Sequence, residues 1–260
     1  MEDFVTDQLA AGYAHSSLES RLYDLSSMFQ WLRKRDYSDI NPIAHEDFES
    51  KLESGDKYED IRYIDVEEFE AIMDVVEKPR DKLLLSILWD TGVRSEEIVS
   101  IYTNDLERDE QKITLKTAKQ QGEREKKRPV FYTRRTERLL SEYIDRGARR
   151  DKLSHAESPY LFIGEGVEQL NERRPTELVR EYAEMAGVQS KVPVPDAQGN
   201  RRRKVTAHCF RHSFAVHRVK RGMPIVYLSD LLGHKDVEQT RVYLKFREDD
   251  LKEAYRKYLP

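Results

Sequence analysis

Apolar residues in the first part of the chain recur with a helical period. Leu18, Leu22, Leu25, Met28, Phe29 and Leu32 share one face of the stretch Ser16 to Arg35, which predicts an amphipathic helix. Asn41-Pro42 breaks that pattern. An acidic stretch from Glu46 to Asp60, with Gly55 inside it, reads as a linker or exposed turn and puts a domain boundary near residues 55–64. Asp65 followed by Glu68 has capping-box spacing, in which each side chain can bond the other residue's free backbone N–H, so a helix is predicted to start there. A long helical pattern follows, with Pro79 at an internal boundary and an apolar block of Leu83, Leu84, Leu85, Ile87, Leu88 and Trp89.

The period then changes. Ile113 to Lys119 alternates, Gly122 follows, and Pro129 to Tyr132 is a second extended run, together predicting a β-hairpin with a charged tip. Arg135 to Arg146 returns to a helical pattern, Pro159 to Ile163 reads as a short buried strand or turn, and Arg174 to Ala186 as a helix stopping at Gly187. Val192 to Arg203, with two prolines, Gly199 and a run of arginines, reads as a loop. Three short helical segments close the chain: Ala207 to Arg221, Ile225 to Leu232, and Val237 to Tyr243 with a tail beyond. The expected fold class is mainly α with one small antiparallel β-sheet. The expected division is a short helical domain over residues 1–60 and a larger domain over 61–260.

Composition narrows the setting. The single cysteine, Cys209, excludes an internal disulfide framework and fits a reducing cytoplasm. Glu2 and Asp3 precede any apolar run, so no signal peptide is expected, and no stretch approaches the roughly 18 uninterrupted apolar residues of a membrane span. A soluble cytoplasmic protein is expected. The formal charge of −4 argues against a nucleic-acid partner, but its distribution argues for one. Residues 1–80 carry 9 Lys/Arg against 20 Asp/Glu, residues 112–138 carry 10 against 3, and residues 201–221 carry 8 against none. Phosphate responds to local potential and not to the total, so the two basic segments form a DNA footprint if the fold joins them. Arg124, Lys126, Lys127 and Arg128 in the first, and Arg201, Arg202, Arg203 and Lys204 in the second, are the candidate DNA contacts.

The last third carries the densest chemistry. His208 and Arg211 share a helix face, His234 follows a helix stop at Gly233, Tyr243 comes nine residues later, and Arg94 lies in the turn Thr91-Gly92-Val93-Arg94 with Glu97 one helical turn on. Cleaving a phosphodiester without a metal needs a nucleophile, cationic donors for the non-bridging oxygens, a base, and an acid for the leaving oxygen. A tyrosine has a pKa of about 10, so reaching the phenolate at neutral pH costs about 4 kcal/mol, which neighbouring cations and a proton acceptor must offset. His208 and His212 are spaced to share a metal ion, but no Glu-containing zinc motif accompanies them and the cysteine is isolated, so neither metal nor cofactor is expected. His212 reads as a structural helix residue.

Thr91-Gly92-Val93-Arg94-Ser95-Glu96-Glu97-Ile98 resembles the first signature box of the tyrosine recombinases of the phage-integrase type. His208-Cys209-Phe210-Arg211-His212-Ser213-Phe214-Ala215 resembles the second box, and Leu231-Leu232-Gly233-His234 with Thr240-Arg241-Val242-Tyr243 resembles its continuation. The elements occur in the family's order over roughly residues 65–250, and residues 13–42 resemble part of its helical core-binding domain. The resemblance implies that Tyr243 attacks the scissile phosphate to give a 3′-phosphotyrosine and a free 5′-hydroxyl. It implies that Arg94 and Arg211 hold the phosphate oxygens, His208 takes the tyrosine proton, His234 donates to the phosphate, and Glu97 supports Arg94. A hairpin lysine would protonate the leaving oxygen. Alternation puts Lys119 on the face of Ile113 and Leu115, which favours it, with Lys116 as the alternative. The implied partner is double-stranded DNA, met by a homotetramer on two duplexes. The rival functions are a type IB topoisomerase and a non-catalytic DNA-binding regulator of the same fold. The tail beyond Tyr243 would dock either on a neighbouring subunit or on its own domain.

Overall fold

The computed structural model describes residues 6–8, 10–11, 15–39, 61–116, 127–146, 149, 158–164, 168–189, 191–193, 201–203, 205–234 and 236–247. The chain divides into two compact units, Met1–Ile61 with Lys191–Arg203, and Arg62–Ser190 with Lys204–Pro260. In the first unit the amphipathic stretch forms helix α1 (His15–Arg33). Its buried stripe is narrower than expected: Leu18, Leu22 and Ser26 are buried, whereas Met28 is exposed. The predicted break at Asn41-Pro42 lies outside the described residues. Val192 to Arg203 departs from the expected loop, because Lys191–Pro193 (β4) pairs antiparallel with Arg201–Arg203 (β5). Pro193 sits at the strand end, facing Arg201, where a missing N–H is least costly.

The second unit carries the site. The capping box forms at Asp65, with the Glu68 N–H on Asp65 Oδ1 at 2.7 Å and the Asp65 N–H on Glu68 Oε2 at 3.3 Å. It starts α2 (Val66–Asp74), and Pro79 opens α3 (Pro79–Thr91), so the long helical pattern is two helices. Proline suits a first helical turn because its missing N–H would be unbonded there anyway. Leu83, Leu84, Leu85, Ile87 and Leu88 of α3 are fully buried. A helix apolar on nearly every side must be enclosed, and α3 is packed by α5 (Arg134–Leu140), α6 (Arg174–Met185) and α7 (Ala207–Lys220). Full burial of each leucine is worth about 1.5–3 kcal/mol. Phe69 stacks on Trp89 at 4.2 Å between ring centres, with Phe210 of α7 edge-on to both.

The small sheet has order β1-β2-β3, all antiparallel, with β1 Leu106–Glu107, β2 Lys112–Lys116 and β3 Lys127–Phe131. Its register sets Ile113 opposite Val130 and Leu115 opposite Arg128. Ile113, Leu115 and Val130 face inward, and Arg128 follows the same alternation into the interior. Asp90 of α3 fixes the exit of the hairpin: it accepts from the Thr133 N–H and hydroxyl, both at 2.8 Å, and from the Thr136 hydroxyl at 2.6 Å. A carboxylate beside the N-terminus of α5 stabilises it there, because it meets the positive end of the helix dipole. The predicted helix over Arg135 to Arg146 ends in a π-helical turn at Ser141–Asp145, where Arg108 reaches Glu137, Ser141 and Asp145.

At the C-terminal end come α7, α8 (Ile225–Leu232), a single helical turn α9 (Glu238–Arg241) and a 3₁₀ turn over Leu244–Arg247. Tyr243 therefore lies in a turn and not on the expected helix. Phe246 packs edge-on against Tyr63 at 5.4 Å, so the start of the tail docks on its own unit; residues 248–260 lie outside the described set.

Candidate active site

Two helix C-termini meet at Arg211, beside a pocket. α3 ends at Gly92, whose φ of 62° is left-handed, and a Cβ there would stand 2.7 Å from Phe214 Cδ1. Glycine is the residue that meets both demands. The turn delivers Arg94 to the N-terminal cap of α4 (Ser95–Val99). α8 ends at Gly233, φ 67°, and presents His234 beyond it. Helix ends leave carbonyls without intrahelical partners, and arginines use them here. Arg211 donates from Nη1 to Gly92 O at 2.9 Å and from Nη2 to Leu232 O at 2.7 Å, tying the two ends together.

Glu97 is buried and organises the other arginines. The Arg94 N–H donates to Oε2 at 2.8 Å, and Arg94 Nη1 reaches Oε1 at a long 3.3 Å. Arg128 makes the forked pair, with Nη1 on Oε1 at 2.7 Å and Nη2 on Oε2 at 2.9 Å, and its Nε donates to Leu231 O at 3.0 Å. Burial alone would raise the Glu97 carboxyl, but the hydrogen bonds and charge of Arg128, then those of Arg94, hold it below the usual carboxylate range.

α7 presents the histidines. Thr206 caps its N-terminus by accepting from the Cys209 N–H, His208 stands exposed, and Arg211 one turn on is buried. Arg94, Ser95, Thr176, Thr206, His208 and Arg211 line a pocket of about 310 Å³. Tyr243 and His234 stand outside its walls. Tyr243 is 3% exposed, and its hydroxyl shares a 2.8 Å hydrogen bond with His212 Nδ1. His212 in turn has the His208 ring edge-on at 4.4 Å. His234 Nδ1 shares a 2.7 Å hydrogen bond with the buried Thr240 hydroxyl, which sets its ring.

The local field is strongly positive. Partial desolvation of its ring at the pocket, then the charges of Arg211 and Arg94, lower His208. Burial, then His208 and Arg211, push His212 down to about 4, and burial, then Arg211, Arg94 and Arg128, do the same to His234. All three are neutral at pH 7, each with one donor and one acceptor nitrogen. Burial pushes Tyr243 up to about 12, with Arg211 opposing. The arrangement can bind an anion between Arg94 and Arg211 and offer it a neutral imidazole donor. In the state described, it keeps the phenol protonated.

The predicted residues divide into three groups. Arg94, His208 and Arg211 meet at the pocket, with His234 and Tyr243 beside it. Lys119, Arg124, Lys126 and Lys204 lie outside the described residues, and only the backbone of Arg201, Arg202 and Arg203 is described. Lys116 lies on the sheet face opposite Leu115, over the Tyr102 ring at 4.3 Å and 3.6 Å from Asp105. Lys127 is exposed at the start of β3. Arg128, expected at the surface, is instead buried on Glu97 and Leu231. Its alternation with Val130 and Tyr132 was the available signal. His212 is a second departure, because the histidine on the Tyr243 hydroxyl is this one. Its i, i+4 relation to His208 put it on the right face but did not reveal the contact.

Residues 62–249 match the model of the Phage integrase family. The chain belongs to this family. Within it, the chain is 27% identical over 198 residues to Tyrosine recombinase XerA of Saccharolobus solfataricus, covering 76% of this chain and 57% of the relative. It is 30% identical over 193 residues to Tyrosine recombinase XerA of Pyrococcus furiosus, covering 72% and 58%. The chain thus spans less than two thirds of the length of these two relatives. Tyrosine recombinase XerD of Haemophilus ducreyi is 26% identical over 265 residues, covering 99% and 80%. Among solved structures, a XerA recombinase superposes with a TM-score of 0.60 at 20% identity, over 93% of this chain and 76% of the other. A XerH site-specific recombinase bound to palindromic difH substrate in a post-cleavage complex superposes at 0.59 and 22% identity, over 84% and 57%. The Tn1549 transposon integrase in complex with transposon right end DNA gives 0.67 at 15% identity, over 97% and 84%. These likenesses establish the fold: mainly α with a small antiparallel sheet, as in the integrase-family catalytic domains.

Proposed function

We propose that this integrase-family chain cleaves and rejoins double-stranded DNA at specific sites, through a 3′-phosphotyrosine at Tyr243, without metal or ATP. The observation that carries this reading is the convergence of Arg94, Arg211 and His208 on one pocket, with Tyr243 and His234 at its edge. A phosphodiester between the two guanidiniums receives forked donation to its non-bridging oxygens, where charge grows in the transition state. Neutral His208 takes the phenolic proton, and neutral His234 adds a hydrogen bond to the phosphate. A hairpin lysine, Lys119, protonates the leaving 5′-oxygen. The covalent link conserves the phosphodiester, so each strand rejoins when a 5′-hydroxyl attacks it.

Tyr243 raised to about 12 costs roughly 7 kcal/mol to ionise at neutral pH. The phenol is therefore protonated at neutral pH while its hydroxyl is bonded to His212, and a phosphate held by both arginines would have to be met by its deprotonation in the reaction. Residues 1–60 form a short helical DNA-binding domain, and four copies act on two duplexes. No described helix is long and apolar enough to cross a membrane; it is the proposed work on DNA that would place the chain at the nucleoid.

A plasmid carrying paired attachment sites from the source element, incubated with the protein in EDTA, tests the reading. Recombinant circles are expected. Relaxation of any supercoiled plasmid without recombinants would make the chain a topoisomerase, and tight binding with neither product would make it a regulator. Loss of reaction in EDTA would contradict metal independence.

A further inference from the structure

The cations around Glu97 are not equivalent. Arg128 is buried and makes two short bonds to the carboxylate. Arg94 makes one long side-chain bond, and its side chain is 35% exposed at the pocket. The four contacts fill both oxygens: Oε1 takes Arg128 Nη1 and Arg94 Nη1, and Oε2 takes Arg128 Nη2 and the Arg94 N–H. A carboxylate offers about four lone-pair sites, so Glu97 is saturated. Without Arg128, two of those sites open on a desolvated anion, and Arg94 is a guanidinium already within reach. Forked pairing is the strong arrangement for such partners, and it would draw Arg94 off the pocket.

The same arginine also holds a turn beside the pocket. Its Nε bonds Leu231 O, two residues before Gly233. A Cβ at Gly233 would stand 2.9 Å from Arg128 Cζ and Nε, so the guanidinium packs directly on the turn that presents His234. Arg128 comes from β3, an element that otherwise supplies nothing to the site.

We propose that Arg128 is a positioning residue for DNA cleavage: it saturates Glu97 so that Arg94 stays turned to the pocket, and it fixes the turn that carries His234. The inference rests on reading that pocket as the site of the scissile phosphate. Arg128 touches no reacting atom and acts through Arg94 and His234.

The test compares Arg128→Met with the double variant Arg128→Met/Glu97→Gln, using single-turnover cleavage of a nicked attachment-site DNA at saturating protein, DNA affinity, thermal melting, and a crystal structure of each. Glutamine keeps an acceptor for the Arg94 N–H but removes the charge that captures the guanidinium. Arg128→Met is expected to cleave about 100-fold more slowly, with DNA affinity within about threefold of wild type. In its crystal structure Arg94 should sit on Glu97 in a forked pair. The double variant should regain about tenfold of the lost rate, which a purely structural role does not predict. If the single variant fails to fold because Glu97 is left buried and unpaired, Arg128→Lys replaces it, with an expected loss of about tenfold and relief by Glu97→Gln. Wild-type rates in folded Arg128→Met, or an unmoved Arg94 with no rescue, would overturn the inference. Absence of cleavage by the wild-type protein would instead defeat the functional reading, and the position of Arg94 in the variant structure would still decide this one.

Discussion

The two sides of the site are built differently. In the inner frame Glu97, Arg128 and Arg211 are buried: Arg94 and Arg128 bond the Glu97 carboxylate, and Arg128 and Arg211 bond helix-end carbonyls. The outer segment from His234 to Arg247 is a helical turn, a bend and a 3₁₀ turn, and the hydroxyl of its tyrosine is held by one histidine. The inner side carries the cations that must be fixed before a phosphate arrives. On the proposed reading, the outer side carries the nucleophile. Preorganised charge lowers a barrier because no reorganisation is needed at the moment of reaction, whereas a nucleophile kept protonated and covered does no damage between reactions.

Breaking the frame should have the largest effect. Arg211→Ala leaves Gly92 O and Leu232 O without their donor, at about 1–3 kcal/mol each. It also removes a phosphate ligand, so single-turnover cleavage should fall by at least about 100-fold, and by more than affinity does. Equal losses in rate and affinity would reduce Arg211 to an anchor. Gly233→Ala comes next: left-handed backbone costs a side chain about 1–2 kcal/mol, and the added Cβ meets Arg128 at 2.9 Å. A denaturant melt should show at least that loss, and an unchanged midpoint would contradict the packing of Arg128 on the turn.

The frame was only partly legible in the sequence. The capping box at Asp65, the stop glycines and the hairpin's alternation are local signals, and each describes the element it starts, ends or builds. Arg128 is the instructive miss. Its neighbours Lys126 and Lys127 made it look like one of a basic run, while the period-two pattern with Val130 put it inside. Charge type argued for the surface, and strand register decided otherwise, because Glu97 supplied the buried partner that no local pattern shows. The Tyr243–His212 contact joins residues 31 apart through the α8 turn, so spacing alone did not disclose it. The β4–β5 pairing was hidden by prolines, which are tolerated at strand ends.

pH sharpens the contrast from the outer side. His212 and His234 are held at about 4, against an ordinary 6.5. The unfolded chain then binds more protons between roughly pH 6.5 and 4, so the native state loses stability as pH falls through that window. His212→Gln removes one contribution and should flatten the decline in melting temperature between pH 6.5 and 5. A slope identical to wild type would contradict a buried neutral His212. The smallest effect is expected at Lys116→Ala. A partly exposed pair with Asp105 at 3.6 Å is worth about 0–1 kcal/mol, and cleavage should be unchanged if Lys119 is the acid. A large rate loss would move that role to Lys116.

The most direct measurement is covalent trapping: nicked attachment-site DNA incubated with wild type and with Tyr243→Phe, resolved under denaturing conditions. A protein–DNA adduct is expected with wild type, none with the variant, and nearly equal DNA affinity for both. An adduct that survives Tyr243→Phe would mean that another side chain is the nucleophile and that the outer segment has been misread.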